Sequence, residues 1–419
     1  MRLVGNLATQ FAPPFSLVLH YFLGGFIFNL ISMASLYFYA GSFEPPFISF
    51  SYAFLAHTFL IGSVMTIIFG ALYQLIPVAL EVPVFSFFLG YVQFYAHLIG
   101  LLIFLFSLFS RNLYVMLVGA VILLISFLIF SFNFFMSIRG LKSFNTTAKF
   151  LFFATVSLII GVFIGVFMVF NFVFGFYSGS IENLVYAHII FTLFGFVFMV
   201  IMGVSMVLLP MFSLSHKFRD IYINLSFFVM MISVFGGGFV SFFFGSSPVY
   251  YSVFLMIISA LFLYLLQVYE IYTKRARRLK DTGIDTMFMS HFFILIFIIS
   301  VILTPFSEKF VFISGFSLIF GFINLLIYGS MYKILPFLTW FHRFSNLVGK
   351  KKVPMLNDML PERLPSYQIV LSSAGVILLL IYLLVPVNFL FYISVIFLVV
   401  GSSMYLYINI YVLRFRLEE

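Results

Sequence analysis

Gly70-Ala-Leu-Tyr-Gln-Leu-Ile-Pro77, Gly203-Val-Ser-Met-Val-Leu-Leu-Pro210 and Gly329-Ser-Met-Tyr-Lys-Ile-Leu-Pro336 share one pattern: a glycine, six residues, then a proline preceded by two branched aliphatic residues. Each closes a long apolar segment. Glycine and proline lie two helical turns apart, so they share a face near the segment's end. The intervals are 133 residues, from 70 to 203, and 126 residues, from 203 to 329. Each interval holds about four membrane-spanning helices. Two of the segments also open alike, with Ala56-His57 and Ala187-His188. This spacing predicts a pseudo-threefold bundle of four-helix arcs, with histidines on the second helices.

Composition sets the solvent. The chain is 64% hydrophobic and 8% charged, with mean hydropathy +1.23, which excludes a soluble globular domain. It contains no cysteine. Disulfides, iron–sulfur clusters, covalent c-type haem attachment and thiolate zinc sites are therefore excluded, and any metal must take His, Met, carboxylate or carbonyl ligands. The net charge of +9 reads first as membrane topology rather than as a nucleic-acid surface.

Apolar runs of spanning length fall at about 15–41, 47–80, 83–109, 113–138, 150–176, 183–213, 221–245, 249–272, 287–305, 309–339, 367–386 and 388–413. These give twelve helices in one polytopic domain, with repeat units at about 15–138, 150–272 and 287–413. Arg2, Arg139, Lys142, Lys149, Lys217, Arg219, the basic stretch at 274–280, Arg343, Lys350–Lys352, Arg363, Arg414 and Arg416 fall on one side. Only Arg111 and Lys309 fall on the other. The positive-inside rule then places both termini in the cytoplasm, in a multi-pass protein of the inner (plasma) membrane. Met1 to Pro14 is too short and interrupted for a signal peptide. The two longer loops, around Lys274–Asp285 and at 341–366, read as orientation signals that touch anionic lipid.

Acidic residues avoid the spans. Glu44, Glu81, Glu182, Asp220, Glu308 and Asp358 lie in loops or at helix ends, and Glu270 near the end of helix eight. Histidines are the candidates for chemistry instead. His57 lies about 15 Å inside the outer surface, counting 1.5 Å per residue. His97 on helix three reaches a comparable height, and His188 lies nearer the outer face. His57, His188 and His97 are the expected cofactor ligands, because neutral imidazole is a common ligand of haem iron and copper. His20 and His291 are expected at the starts of helices one and nine, and His216 and His342 at loop ends. Gly236-Gly237-Gly238 would admit a backbone or a flat ligand, or simply a packed helix.

The chain resembles the catalytic subunit of haem–copper oxidases. The likeness lies in twelve helices, three arcs of four and a histidine in the outer part of helix two. Ala56-His57, Gly70–Pro77, Ala187-His188 and Tyr332–Pro336 with Trp340–Arg343 look like its divergent subunit I-like relatives. Phe194–Lys217 is similar to the haem- and copper-binding NnrS proteins. The resemblance implies that His57 is an axial ligand of a non-covalent b-type haem. His188 matches a copper ligand, but Thr192 stands where the oxidase tyrosine would be, helix seven has no histidine, and none occurs between His291 and His342. Copper and oxidase-type oxygen reduction are therefore not expected. The expectation is a haem-binding redox protein of electron transfer or nitric oxide chemistry, with His57 paired to His188 or His97. Met65 or Met206 would be a thioether substitute. Its partners would be the bilayer, a quinol or cytochrome donor, and further copies of the chain. The alternatives are a secondary transporter, which the four-helix period disfavours, and a non-catalytic protein that retains the fold.

Overall fold

A computed structural model describes residues 12–39, 43, 48–216, 218–276 and 280–416. Arg2, Glu44, Lys217, Arg277 and Arg278, which enter the charge argument, lie outside the described residues. Twelve helices are long and apolar enough to cross a membrane: α1 Phe15–Tyr39, α2 Phe50–Ala79, α3 Phe87–Ser110, α4 Leu113–Ile138, α5 Thr146–Phe174 and α6 Ile181–Ser213, then α7 Ile221–Phe244, α8 Ser247–Thr273, α9 Thr282–Phe306, α10 Lys309–Arg343, α11 Leu364–Leu384 and α12 Asn388–Arg414. The chain is thus an all-α, multi-pass membrane protein. Among the described residues the one non-helical pairing is an isolated bridge between Ser215 and Arg275.

Short polar side chains set the helix starts by accepting hydrogen bonds from otherwise orphaned backbone donors. Ser49 accepts from Tyr52 N, Ser86 from Leu89 N, Asn112 from Val115 N and Asn145 from Ala148 N. The same device corrects one expected boundary. Asp281 accepts from Ile284 N at 3.1 Å, so α9 begins at Thr282 rather than near 287. His291 accordingly lies more than two turns inside α9, buried, not at its start.

The chain divides into two compact units. Unit one, Met1–Gly24 with Phe47–Ala276, holds the beginning of α1 and all of α2–α8. Here the repeat glycines act at helix crossings. A Cβ on Gly70 would stand 2.7 Å from Tyr21 Cβ of α1, and a Cβ on Gly203 would stand 2.6 Å from Phe150 Cβ of α5. Unit two, Gly25–Pro46 with Arg277–Glu419, holds the rest of α1 and α9–α12. In it a Cβ on Gly329 would stand 2.7 Å from the Gly283 carbonyl oxygen of α9. In all three cases the glycine seats a second helix against the first helix of its four. Lipid offers no hydrophobic drive between helices, so such close backbone contact is a main source of association. These second helices are also the most buried of the twelve: 83% of the apolar window of α2 is buried, 72% of α6 and 61% of α10.

The three share two more features. Each carries a π-helical stretch ahead of its glycine: Thr58–Met65, Ile190–Phe198 and Ser317–Ile323. Pro77, Pro210 and Pro336 lie inside helices that continue past them. In α2 and α10, the tyrosine three residues after the glycine donates to a buried glutamine. Tyr73 bonds Gln93 Oε1 at 2.9 Å and Tyr332 bonds Gln368 Oε1 at 2.8 Å. Met206 occupies that place in α6. Unit two adds a buried polar cluster in which Tyr328 and Ser402 donate to Asn29 Oδ1, and Asn29 Nδ2 donates to Asn324 Oδ1.

Valine at Gly70, Gly203 or Gly329 is expected to destabilise the protein by about 1–3 kcal/mol or more through overpacking. Gly315→Ala, where no atom lies within 4 Å of the new Cβ, is expected within about 0.5 kcal/mol of wild type. Thermal melting in mild detergent checks both. Valine variants that melt with the wild type contradict the close crossings.

Candidate functional site

The site begins on α5, where Gly161 and Gly165 stand one turn apart. A Cβ on Gly161 would meet Thr192 Cγ2 at 2.6 Å, and one on Gly165 would meet the His188 ring at 2.8 Å. This small-residue face lets α6 lie directly on the α5 backbone. As a result, His188 Nδ1 reaches the carbonyl of Gly161 at 2.8 Å. A carbonyl only accepts, so the proton sits on Nδ1 and the Nε2 lone pair is free of it. Thr192 completes the turn by donating to the His188 carbonyl at 2.6 Å.

His57 arrives by a different local route to the same tautomer. It is the last residue before the π-helical stretch of α2, and its Nδ1 donates to the Ala53 carbonyl one turn back at 2.6 Å. Phe104 packs against the ring in an edge-type contact, with ring centres 5.3 Å apart. The two imidazoles are neighbours, with ring centres 6.1 Å apart and planes inclined by 23°. Both side chains are half-buried. Two neutral imidazoles, each anchored through Nδ1 to a backbone carbonyl, therefore stand beside one another, one from α2 and one from α6.

His97 is put to another use. Only 1% exposed, it donates from Nε2 to Thr66 Oγ1 at 3.0 Å and to the Ile61 carbonyl at 3.3 Å. Thr66 Oγ1 also donates to that carbonyl, at 2.9 Å. Ile61 lies within the π-helical stretch, where widened turns loosen the ordinary backbone bonds. His97 thus secures α2 a turn beyond His57, and its Nδ1 is buried without a partner. His20 bonds the Ser16 carbonyl and Tyr95, and His291 bonds the Met287 carbonyl. His216 is exposed, and His342 is half-buried in the last turn of α10.

The remaining candidates serve packing. Cβ atoms on Gly237 and Gly238 would each come within 2.6 Å of Val253 and Phe191 side chains, so the glycine run receives protein rather than a flat ligand. Met65 is buried at the end of the π-helical stretch, and Met206 is half-buried. Among the described residues, no group of three or more His, Asp or Glu side chains gathers as a metal cluster. The Gly161/Gly165 face is the element that sequence reading overlooked, although its Gly-x-x-x-Gly spacing was visible. No family model matches the chain, and no curated protein matches it either.

Nitrogen-15 magnetic resonance of histidine-labelled, metal-free protein is expected to find His57 and His188 protonated on Nδ1 and His97 on Nε2. A proton on Nε2 of His57 or His188 contradicts the anchoring derived above.

Proposed function

We propose that this protein is a membrane redox protein that holds a b-type haem between His57 and His188. The observation that carries the reading is the ligand count at the pair. Two imidazoles that, among the described residues, join no group of three or more His, Asp or Glu are too few for a closed protein site, which for a metal such as zinc takes about four ligands. A haem supplies four equatorial nitrogens of its own and asks the protein for only two axial ones. Two imidazoles bound to one metal at about 2.0–2.1 Å each hold their nitrogens roughly 4 Å apart and their ring centres roughly 6 Å apart. The 6.1 Å separation of the ring centres, close to that spacing, supports the reading. So does the tautomer, since a ligating histidine characteristically donates its other N–H to a carbonyl or carboxylate.

When bound, the haem would supply one-electron redox chemistry, with neutral axial imidazoles and apolar surroundings setting its potential. The residues' part is positional. Ala53 and Gly161 carbonyls orient the two rings, Gly165 gives the His188 ring its place, and Phe104 packs against the His57 ring. The reading also takes up the resemblance to haem–copper oxidase subunit I, with His57 as the retained haem ligand. A histidine-free α7 lacks the oxidase copper ligands and Thr192 stands in place of the oxidase tyrosine, so electron transfer or nitric oxide binding is proposed rather than oxygen reduction. The proposal places both termini in the cytoplasm, the haem in the outer half of the inner membrane, and a quinol or a cytochrome as the class of donor.

Purified protein is expected to give a Soret band and a sharp α-band on dithionite reduction. His57→Ala or His188→Ala should abolish or shift that signal, whereas His342→Ala should leave it intact. A wild-type spectrum retained in both of the first two variants overturns the axial assignment.

A further inference from the structure

We propose that unit two carries a binding site for the phosphates of anionic lipid headgroups, built where α10 and α12 end and α11 begins. The connection from 344 to 363 does not extend away from these helix ends. Trp340 Nε1 on α10 donates to the Pro354 carbonyl at 3.0 Å, Met359 is fully buried, and Asp358 accepts from Met355 N at 2.9 Å. The connection is therefore a strap folded back onto the end of α10. A second tie draws in α12, since Arg343 Nη1 donates to the Phe415 carbonyl at 3.3 Å, between Arg414 and Arg416.

These ties collect an excess of positive charge, with seven cations set against Asp358 and the exposed Glu362 of the strap. Arg343, Lys350–Lys352, Arg363, Arg414 and Arg416 are all exposed. The two ion pairs among the described residues, Lys274–Glu270 and Lys333–Asp281, involve none of them. Asp358, the strap's central acid, spends an oxygen on the Met355 backbone. Apolar side chains stand out of the same strap, with Met355 76% and Val348 54% exposed. Exposed cations beside exposed apolar side chains, at the ends of membrane-spanning helices, match a headgroup layer: phosphate for the cations and acyl-chain boundary for the apolar groups. A soluble polyanion would satisfy the charges alone and leave Met355 and Val348 without a role. The ligand is therefore a lipid in the adjoining leaflet, and the site is independent of the histidine pair.

The test is the thermal stability of the full chain in mild detergent, titrated with phosphatidylglycerol or phosphatidylcholine, with native mass spectrometry counting retained lipids. Phosphatidylglycerol is expected to raise the melting temperature and remain bound, with an effect that shrinks as salt rises. The triple variant Lys350→Ser, Lys351→Ser, Lys352→Ser, confined to exposed positions, should lose at least half of that shift while melting like wild type without lipid. Equal stabilisation by phosphatidylcholine, or an undiminished shift in the triple variant, overturns the proposal. So does an equal shift from soluble glycerol phosphate or polyglutamate, which would mark a site for a free anion or an acidic partner.

Discussion

Close contact at glycine is the constraint on which the rest of this molecule depends. Helices surrounded by lipid gain little from burying more apolar surface against each other, so dispersion at short range and a few hydrogen bonds must hold them. Gly70, Gly203 and Gly329 provide that contact three times, each against the first helix of its group of four. Gly161 and Gly165 repeat the device between α5 and α6 with a chemical consequence. Without them α6 would stand off by the width of a side chain, and the Gly161 carbonyl would not reach His188.

The π-helical stretches are the second element of the account. His57 lies thirteen residues before Gly70 and His188 fifteen before Gly203, a difference that in two regular α-helices would turn the rings to nearly opposite faces. The stretches differ too, spanning eight residues in α2 and nine in α6. Their wider turns change the phase between histidine and glycine. The two rings meet although their positions in the repeat are not identical. His97 and Thr66 fasten the opened Ile61 carbonyl, so the buried histidine of α3 supports α2. This division of labour among the three histidines follows from which ring nitrogen of each meets a backbone carbonyl.

Much of this was legible in the chain. Helix number followed from apolar run length, and the prominence of α2, α6 and α10 followed from the Gly–Pro spacing. The repeated Ala-His singled out His57 and His188, but it left His188 and His97 both open as the partner of His57. Three things were less accessible, for physical reasons. A π-helical turn has no residue signature, so the register between the two histidines could not be read. The start of α9 was hidden because Asp281, its cap, sits in a basic loop whose charge suggested a linker. The role of His97 depended on a backbone carbonyl thirty-six residues away, and an apolar helix with one histidine reads equally well as a ligand site. The glycine face of α5 was readable in principle, but Gly-x-x-x-Gly says only that some helix comes close, not which side chain it brings.

Electron paramagnetic resonance of the oxidised, purified protein tests the central claim most directly, because it reports both axial ligands and the angle between their planes. Two imidazoles inclined by 23° on one haem iron predict a low-spin, rhombic ferric signal, lost when either His57 or His188 is replaced. A protein that carries no haem iron contradicts the account, as does one whose signal is high-spin or indifferent to His188.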